Sequence, residues 1–266
     1  VIGHDTGHQY LDSGRPVLAF AHRGGALHPD VVGLENTEAA FAHAISLGYV
    51  YLETDVHVTS DGVVLAFHDN VLDRVTDRTG AVADQTYAQI REARIGGRAR
   101  IPTMSELLGA FPQARFNIDI KAPGTAQPLL DVIAEHRAWD RVLVGSFSRT
   151  RMKEFRALAR GRVPTSAHPF EVAAFRLLPS GRLARFVTGG HVTALQVPVH
   201  RGPLRIVTAG FVRRAHAAGA HVHVWTVDDP EEMRDLLDRG VDGLVTDRTD
   251  ILKDILLHHG LWRDHP

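Results

Sequence analysis

The chain has 266 residues, 44% of them hydrophobic, and a formal net charge of −1. That length holds one large domain or two small ones around an ordinary core, and so small a charge offers no bulk attraction to nucleic acid or an anionic membrane. Cysteine is absent, which excludes disulfides and thiolate metal sites and fits a cytosolic or a secreted protein equally.

Residues 1–15 are polar and aperiodic and read as an N-terminal tail, leaving 16–266 as a single domain. No run approaches the roughly 18 apolar residues of a membrane-spanning helix, and no signal-peptide pattern opens the chain. This leans toward the cytoplasm, with secretion after removal of an N-terminal segment left open. Short β-branched runs then predict strands at 17–21, 49–55, 115–120, 141–146, 163–167, 193–198, 221–226 and 242–246. Helical patterns fall between them at 36–47, 103–110, 126–137, 148–160, 204–218 and 230–239. Several carry caps: Asn36-Thr37-Glu38, the box Thr103-x-x-Glu106, and Asp229 before Pro230.

Eight strands alternating with helices over about 250 residues predict a (β/α)8 TIM barrel, with an open doubly wound sheet as the rival. Residues 49–58 and 63–68 are too close in sequence for a parallel crossover, so they form an antiparallel hairpin. The hairpin and the irregular stretch after it, about 57–100, make a small insertion following the second barrel strand, expected to cover one mouth.

Glu53 and Asp55 share one strand face about 6.8 Å apart, close enough to converge on a hard cation, though a solvated or arginine-paired couple has the same spacing. Pairing the hairpin symmetrically about Ser60-Asp61 sets His68 opposite Glu53, while a one-residue slip turns it away. His57 lies on the same face and is its rival. The run Ala21-His22-Arg23-Gly24-Gly25 ends the first strand, where barrel enzymes carry their chemistry. It offers a titratable group, a bidentate phosphate binder and glycines that let a ligand approach the backbone. Asn117, Asp119 and Lys121 share a face at the end of the third strand. Asp119 and Lys121 either pair with each other or serve a cation and an anion. Trp225 closes the seventh strand as core packing or as an aromatic wall for a substrate.

Taken in order, AHRGG, ENTEAAF, ETDVHVTSDGVVLAFHD, IPTMSELL, NIDIK, VWTVDD and GVDGLVTD resemble the glycerophosphodiester phosphodiesterase family from about residue 19 to 250. The resemblance implies a (β/α)8 barrel with an insertion after the second strand. It also implies divalent-cation-dependent hydrolysis of glycerophosphodiesters to an alcohol and glycerol 3-phosphate. Carried over to this sequence, it implies His22 and His68 as the acid–base pair and Glu53, Asp55 and Asp119 as metal ligands. Arg23 and Lys121 would contact the phosphate, and Glu35 would lie near the metal or the glycerol. Two departures stand out: Leu34 replaces a proline common before Glu-Asn-Thr, after an extended LHPDVVG loop, and Asp119 replaces a common Glu.

Three carboxylates without cysteine make a hard donor set, which favours Mg²⁺ or Ca²⁺ over Zn²⁺. The expected partner is a small glycerophosphodiester, with no nucleic acid and no transmembrane segment; nothing indicates an oligomeric state. The alternative enzyme is a phospholipase D-like barrel acting on lysophospholipids or sphingomyelin, which a hydrophobic groove beside Trp225 would favour. A catalytically inactive phosphodiester-binding barrel is a third reading. An aldolase-type barrel would place a phosphate-binding glycine loop after strands seven and eight, and VTDRTD does not supply it.

Overall fold

A computed structural model describes residues 8–263. Eight parallel strands close on themselves: β1 (Leu18–His22), β2 (Tyr51–Val58), β3 (Arg115–Ile120), β4 (Val142–Gly145), β5 (Thr165–Ser166), β6 (Val192–Pro198), β7 (His221–Trp225) and β8 (Gly243–Thr246). Each pairs with the next, and β1 pairs with both β2 and β8, which closes the barrel and rules out the open sheet. Around the barrel lie α1 (Glu38–Ser46), α2 (Met104–Ala110), α3 (Ala126–Glu135), α4 (Arg149–Ala159), α5 (Pro169–Leu177), α6 (Gly181–Val187), α7 (Ala209–His216), α8 (Pro230–Asp238) and α9 (Thr249–His258), and the excursion after β2 adds one short turn of helix at Tyr87–Ile90.

The period-two alternation of the strands sets the site in layers. Leu52, Phe116, Ile118 and Ile120 turn outward into the main core beneath the helices. Their neighbours face the barrel interior in register: Tyr51 beside Arg115, Glu53 beside Asn117, Asp55 beside Asp119. Polarity rises along the barrel axis, and the carboxylates reach the end where the strands finish.

The expected caps form. Thr37 and Thr103 accept from the third residue of their helices, Glu106 completes a capping box, and Asp229 caps α8 with Pro230 at its first position. The helix expected over 204–218 is shorter. Leu204–Arg205 instead pairs antiparallel with His200–Arg201 around Gly202-Pro203, and α7 starts only after Thr208. Thr208 sets the later start, its hydroxyl accepting from the Phe211 N–H as the helix cap. Three helices, α5, α6 and α9, had no counterpart among the expected elements.

Part of the supposed tail is packed. Tyr10 and Leu11 are buried under the barrel, where Tyr10 meets Tyr51 edge-on at 5.3 Å. Arg115 donates to the carbonyls of Gln9, Tyr10 and Asp12, so the chain stoppers the N-terminal end of the barrel. Residues 1–7 lie outside the described residues. The excursion after β2 has a small core of its own, built from Leu65, Phe67, Leu72, Val82, Ile90 and Ile95.

His223 sits fully buried inside the barrel against Phe20, at 4.8 Å between rings, and accepts a 3.3 Å hydrogen bond from Gln196 at Nδ1. Burial, then the nearby His221, lowers its pKa from 6.5 to about 3. Between these values the unfolded chain binds a proton that the folded chain refuses, so stability falls as pH drops through that window. At pH 5 the loss is about 2 kcal/mol relative to neutrality, at 1.36 kcal/mol per unit. Urea unfolding at pH 7 and pH 5 is expected to show this difference, and His223→Leu to remove most of it; an unchanged difference in the variant would assign it to other groups.

Candidate active site

β1 ends in His22, and Arg23 continues with its backbone in the left-handed region at φ 51°. An unbranched arginine held there signals a conformation imposed by its surroundings. Its N–H donates to the Glu53 carbonyl at 3.0 Å, which pins the turn to β2. Gly24 and Gly25 have φ near +88° and +87°, and a Cβ on them would lie 2.6 Å from Ala40 and 2.8 Å from Thr249. Their N–H groups bond the carbonyls of Ala21 and His22. The glycines therefore admit α1 and α9 rather than a ligand, which corrects the reason the sequence suggested for them.

The hairpin register also differs from the symmetrical one. Val56 pairs with Ala66, His57 with Leu65 and Val58 with Val64, which extrapolates to Thr54, not Glu53, opposite residue 68. Gly62 at φ 85° supplies a third loop residue, with Thr59 and Val63 closing the loop. Yet the second arm ends at Ala66, and beyond it the chain leaves the ladder and brings His68 to the cavity. His57 stays buried, donating from Nε2 to the His68 carbonyl at 3.0 Å. It braces the backbone of His68 and does not line the cavity.

The cavity encloses about 640 Å³ at the C-terminal mouth of the barrel. His22, Arg23, Glu53, Asp55, His68, Asn117, Asp119, Lys121 and Trp225 line it. Glu35 does not: its carboxylate takes Arg23 at 3.2 Å and Arg74 at 2.7 Å, tying the loop after β1 to the excursion. No residue of 69–100 lines the cavity either, so the excursion braces the site and leaves the wall to others. That wall is α5 and the turn at 200–206, with Phe147 and Trp225 meeting edge-on at 5.4 Å.

Each imidazole is anchored at Nδ1 by a carboxylate. His22 bonds Asp247 at 2.8 Å, and its Nε2 lies 3.7 Å from Glu53. His68 bonds Asp69 at 2.6 Å, and Asp69 is in turn held by Arg74. Burial lowers the pKa of His22, but Glu53 and Asp247 outweigh it and the net shift is upward. Burial raises Asp69, whereas Arg74 and His68 pull it down to about 2, so it is charged at neutral pH. Neither Asp247 nor Arg74 was singled out from the sequence; Asp247 was visible only as the last residue of GVDGLVTD, at the end of β8.

Glu53 and Asp119 each feel the charge of Asp55, although the oxygens of the three acids do not all come within 4.8 Å of one another. Burial, then Asp55, raises Glu53 to about 7, and burial likewise raises Asp119 against the opposing pull of Lys121. Asp55 goes the other way: burial would raise it, but Lys121 and Arg23 bring it below the usual range. Lys121 Nζ bridges Asp119 at 2.6 Å and Asp55 at 2.8 Å, so it pairs with its neighbours and faces the cavity at once. Asp55 Oδ2 is buried with no hydrogen bond, and the Arg23 Nε 3.1 Å away is in ion-pair range only. An orphaned carboxylate oxygen on a strand face shared with Glu53, with Asp119 in register beside it, is the kind of donor a hard cation takes. Elsewhere, His28, Asp30 and His43 hold donor atoms within 4.8 Å of one another, outside this cavity.

Among curated proteins, "Probable glycerophosphodiester phosphodiesterase 2" of Mycobacterium tuberculosis is 38% identical over 94% of this chain and 98% of its own length. A solved structure from Silicibacter pomeroyi DSS-3 matches with a TM-score of 0.80 at 26% identity, covering 96% of this chain and 100% of that one. A phosphodiesterase of Oleispira antarctica, solved in complex with the product sn-glycerol-3-phosphate, matches in fold with a TM-score of 0.77 at 22% identity, over 92% of this chain and 98% of that one. The sequence profile described as the Glycerophosphoryl diester phosphodiesterase family matches residues 22–251, and with the barrel and its cavity in place, the chain belongs to that family of enzymes.

Proposed function

We propose that this enzyme hydrolyses glycerophosphodiesters to an alcohol and glycerol 3-phosphate by paired histidine acid–base catalysis with one divalent cation. The observation that carries the reading is the pair of imidazoles, each fixed at Nδ1 by a carboxylate and both lining the cavity that holds three acids. Arg23 and Lys121 bind the phosphate and orient it, supplying positive charge where the transition state is most negative. Asp247 accepts from His22 Nδ1, leaving Nε2 unprotonated and able to take the proton of the attacking hydroxyl. Asp69 orients His68 through Nδ1, and His68 acting as the acid passes its Nε2 proton to the leaving alkoxide as the P–O bond breaks. The attacking hydroxyl belongs to water or to the glycerol 2-position. Glu53, Asp55 and Asp119 would hold the cation, Mg²⁺ or Ca²⁺, which offsets charge on a phosphate oxygen when bound. Trp225 and Phe147 form the aromatic side of the pocket.

A second substrate class has its own support. α5 contributes Val172, Ala173 and Leu177 to the cavity, and the turn beyond β6 contributes Leu204 and Ile206. That apolar wall beside Trp225 suits the single acyl chain of a lysophospholipid, cleaved at the same bond. Choline release from glycerophosphocholine and from lysophosphatidylcholine, with and without chelator, tests both readings. Turnover of glycerophosphocholine supports the first; a higher kcat/KM for the lysolipid selects the second; turnover of neither overturns both.

A further inference from the structure

We propose that the rim of the cavity formed by the loops after β4, β5 and β6 docks on the surface of a membrane carrying anionic lipids. The inference builds on the phosphodiesterase reading of the cavity, but it rests on different residues.

The segments that follow parallel strands all start from one end of a barrel, and three of them here, the turn at Phe147, helix α5 and the turn at Leu204, expose large apolar side chains. Phe147 is 55% exposed, Phe170 59%, Leu177 78% and Leu204 49%. Leu177 and Leu204 also line the cavity, so the exposed rim runs without a break into the apolar wall above the phosphate-binding floor. Single exposed leucines need no explanation, whereas a group of them ringing a reactive cavity does.

Charge completes the case. The chain as a whole is nearly neutral, yet residues 146–208 carry eleven Arg or Lys against Glu154 and Glu171 alone. Glu171 is consumed internally, by Arg156 at 2.6 Å. Arg149, Arg176 and Arg201 stand beside the apolar side chains, and among the described residues none of them forms an ion pair. Arg149 lies over the ring of Phe170 at 5.2 Å, and Arg176 has its Nε buried without a hydrogen bond. Exposed aliphatic and aromatic groups interleaved with unpaired arginines match a lipid interface: the apolar tips enter the acyl boundary while the guanidinium groups meet the headgroups. Nucleic acid would satisfy the arginines and leave Leu177 and Leu204 in water. Docking in this pose sets the mouth of the cavity against the bilayer, so that a single-chain lipid passes from leaflet to cavity along the apolar wall.

The test is flotation of the intact protein with phosphatidylcholine vesicles, with and without about 30 mol% phosphatidylglycerol. Binding to the anionic vesicles, weakened by salt and nearly absent with phosphatidylcholine alone, is expected. Arg149→Glu and Phe170→Glu should each weaken binding about tenfold or more. Neither residue lines the cavity, and each substitution places an acid in the first turn of a helix, where it is well tolerated. Helical content and turnover of soluble glycerophosphocholine should therefore be unchanged, which separates lost docking from lost fold. Absence of vesicle binding, or binding equal in wild type and both variants, overturns the proposal. A protein that binds vesicles through these two residues yet turns over no phosphodiester would leave docking standing and sink the catalytic reading instead.

Discussion

His22→Ala and His68→Ala are each expected to slow turnover of an unactivated glycerophosphodiester by about two to four orders of magnitude, the range for a general acid or base. The two losses differ in kind. A nitrophenyl ester leaves without a proton, so the variant lacking the acid recovers most of its rate on that substrate, and the variant lacking the base does not. Both imidazoles carry a carboxylate at Nδ1, so the assignment of His68 as acid and His22 as base is decided by which variant the activated substrate rescues. Rescue of His22→Ala in place of His68→Ala would exchange the roles. Equal failure to rescue both would remove the acid assignment altogether. His57→Ala is a useful third arm, because His57 does not line the cavity and holds the His68 carbonyl through a 3.0 Å bond. It should cost activity through mispositioning of His68, less than the loss of His68 itself.

The other large effect is removal of the cation. Exhaustive chelation should abolish turnover, and Mg²⁺ or Ca²⁺ should restore it; undiminished activity after chelation would end the metal reading. The charge arrangement makes Asp55→Asn the sharpest single substitution. Asp55 carries the orphaned oxygen and contacts both Arg23 and Lys121, so its loss removes a proposed cation donor and frees the two side chains proposed to bind the phosphate. A loss of at least two orders of magnitude is expected, together with weaker cation binding by calorimetry. Asp119→Glu should act more gently, since it lengthens a donor by one methylene and shifts metal preference more than fold. If Asp55→Asn bound the cation as tightly as wild type, the ligand set would have to be redrawn.

The barrel was legible because its strands keep strict alternation: in RFNIDI every second residue is a core hydrophobe, and those between are Arg115, Asn117 and Asp119. The cavity lining was legible where polar residues stand on an inward strand face or just past a strand end, as with His22, Glu53, Asp55 and Lys121. What escaped depended on chain distance. Asp247 joins His22 across 225 residues, and local spacing says nothing about such a pair. Arg74 meets Glu35 39 residues away for the same reason. The hairpin register failed by one because a symmetrical turn ignored Gly62, whose positive φ adds a loop residue. The helices at 169–187 were missed since their apolar residues are shared between core and surface, with Phe175 buried and Leu177 and Phe186 exposed. A pattern serving both sides has no clean period.

The pairing of β1 with β8 has a consequence for how the chain is made. Leu18 meets Gly243 and Ala21 meets Thr246, so the first strand waits for almost the whole sequence before its second edge is covered. During synthesis, Leu18–His22 can gain β2 early, but its other side stays open until β8 has left the ribosome. An uncovered strand edge is a template for pairing with another chain, and closing so long a loop is slow. Gly243 sharpens the demand, because any side chain there would strike Phe20, His223 and the Leu18 carbonyl within about 3 Å and keep the seam apart. The zipping of this seam is thus a late event in folding, and lesions at Gly243 should be seen first as poor soluble yield.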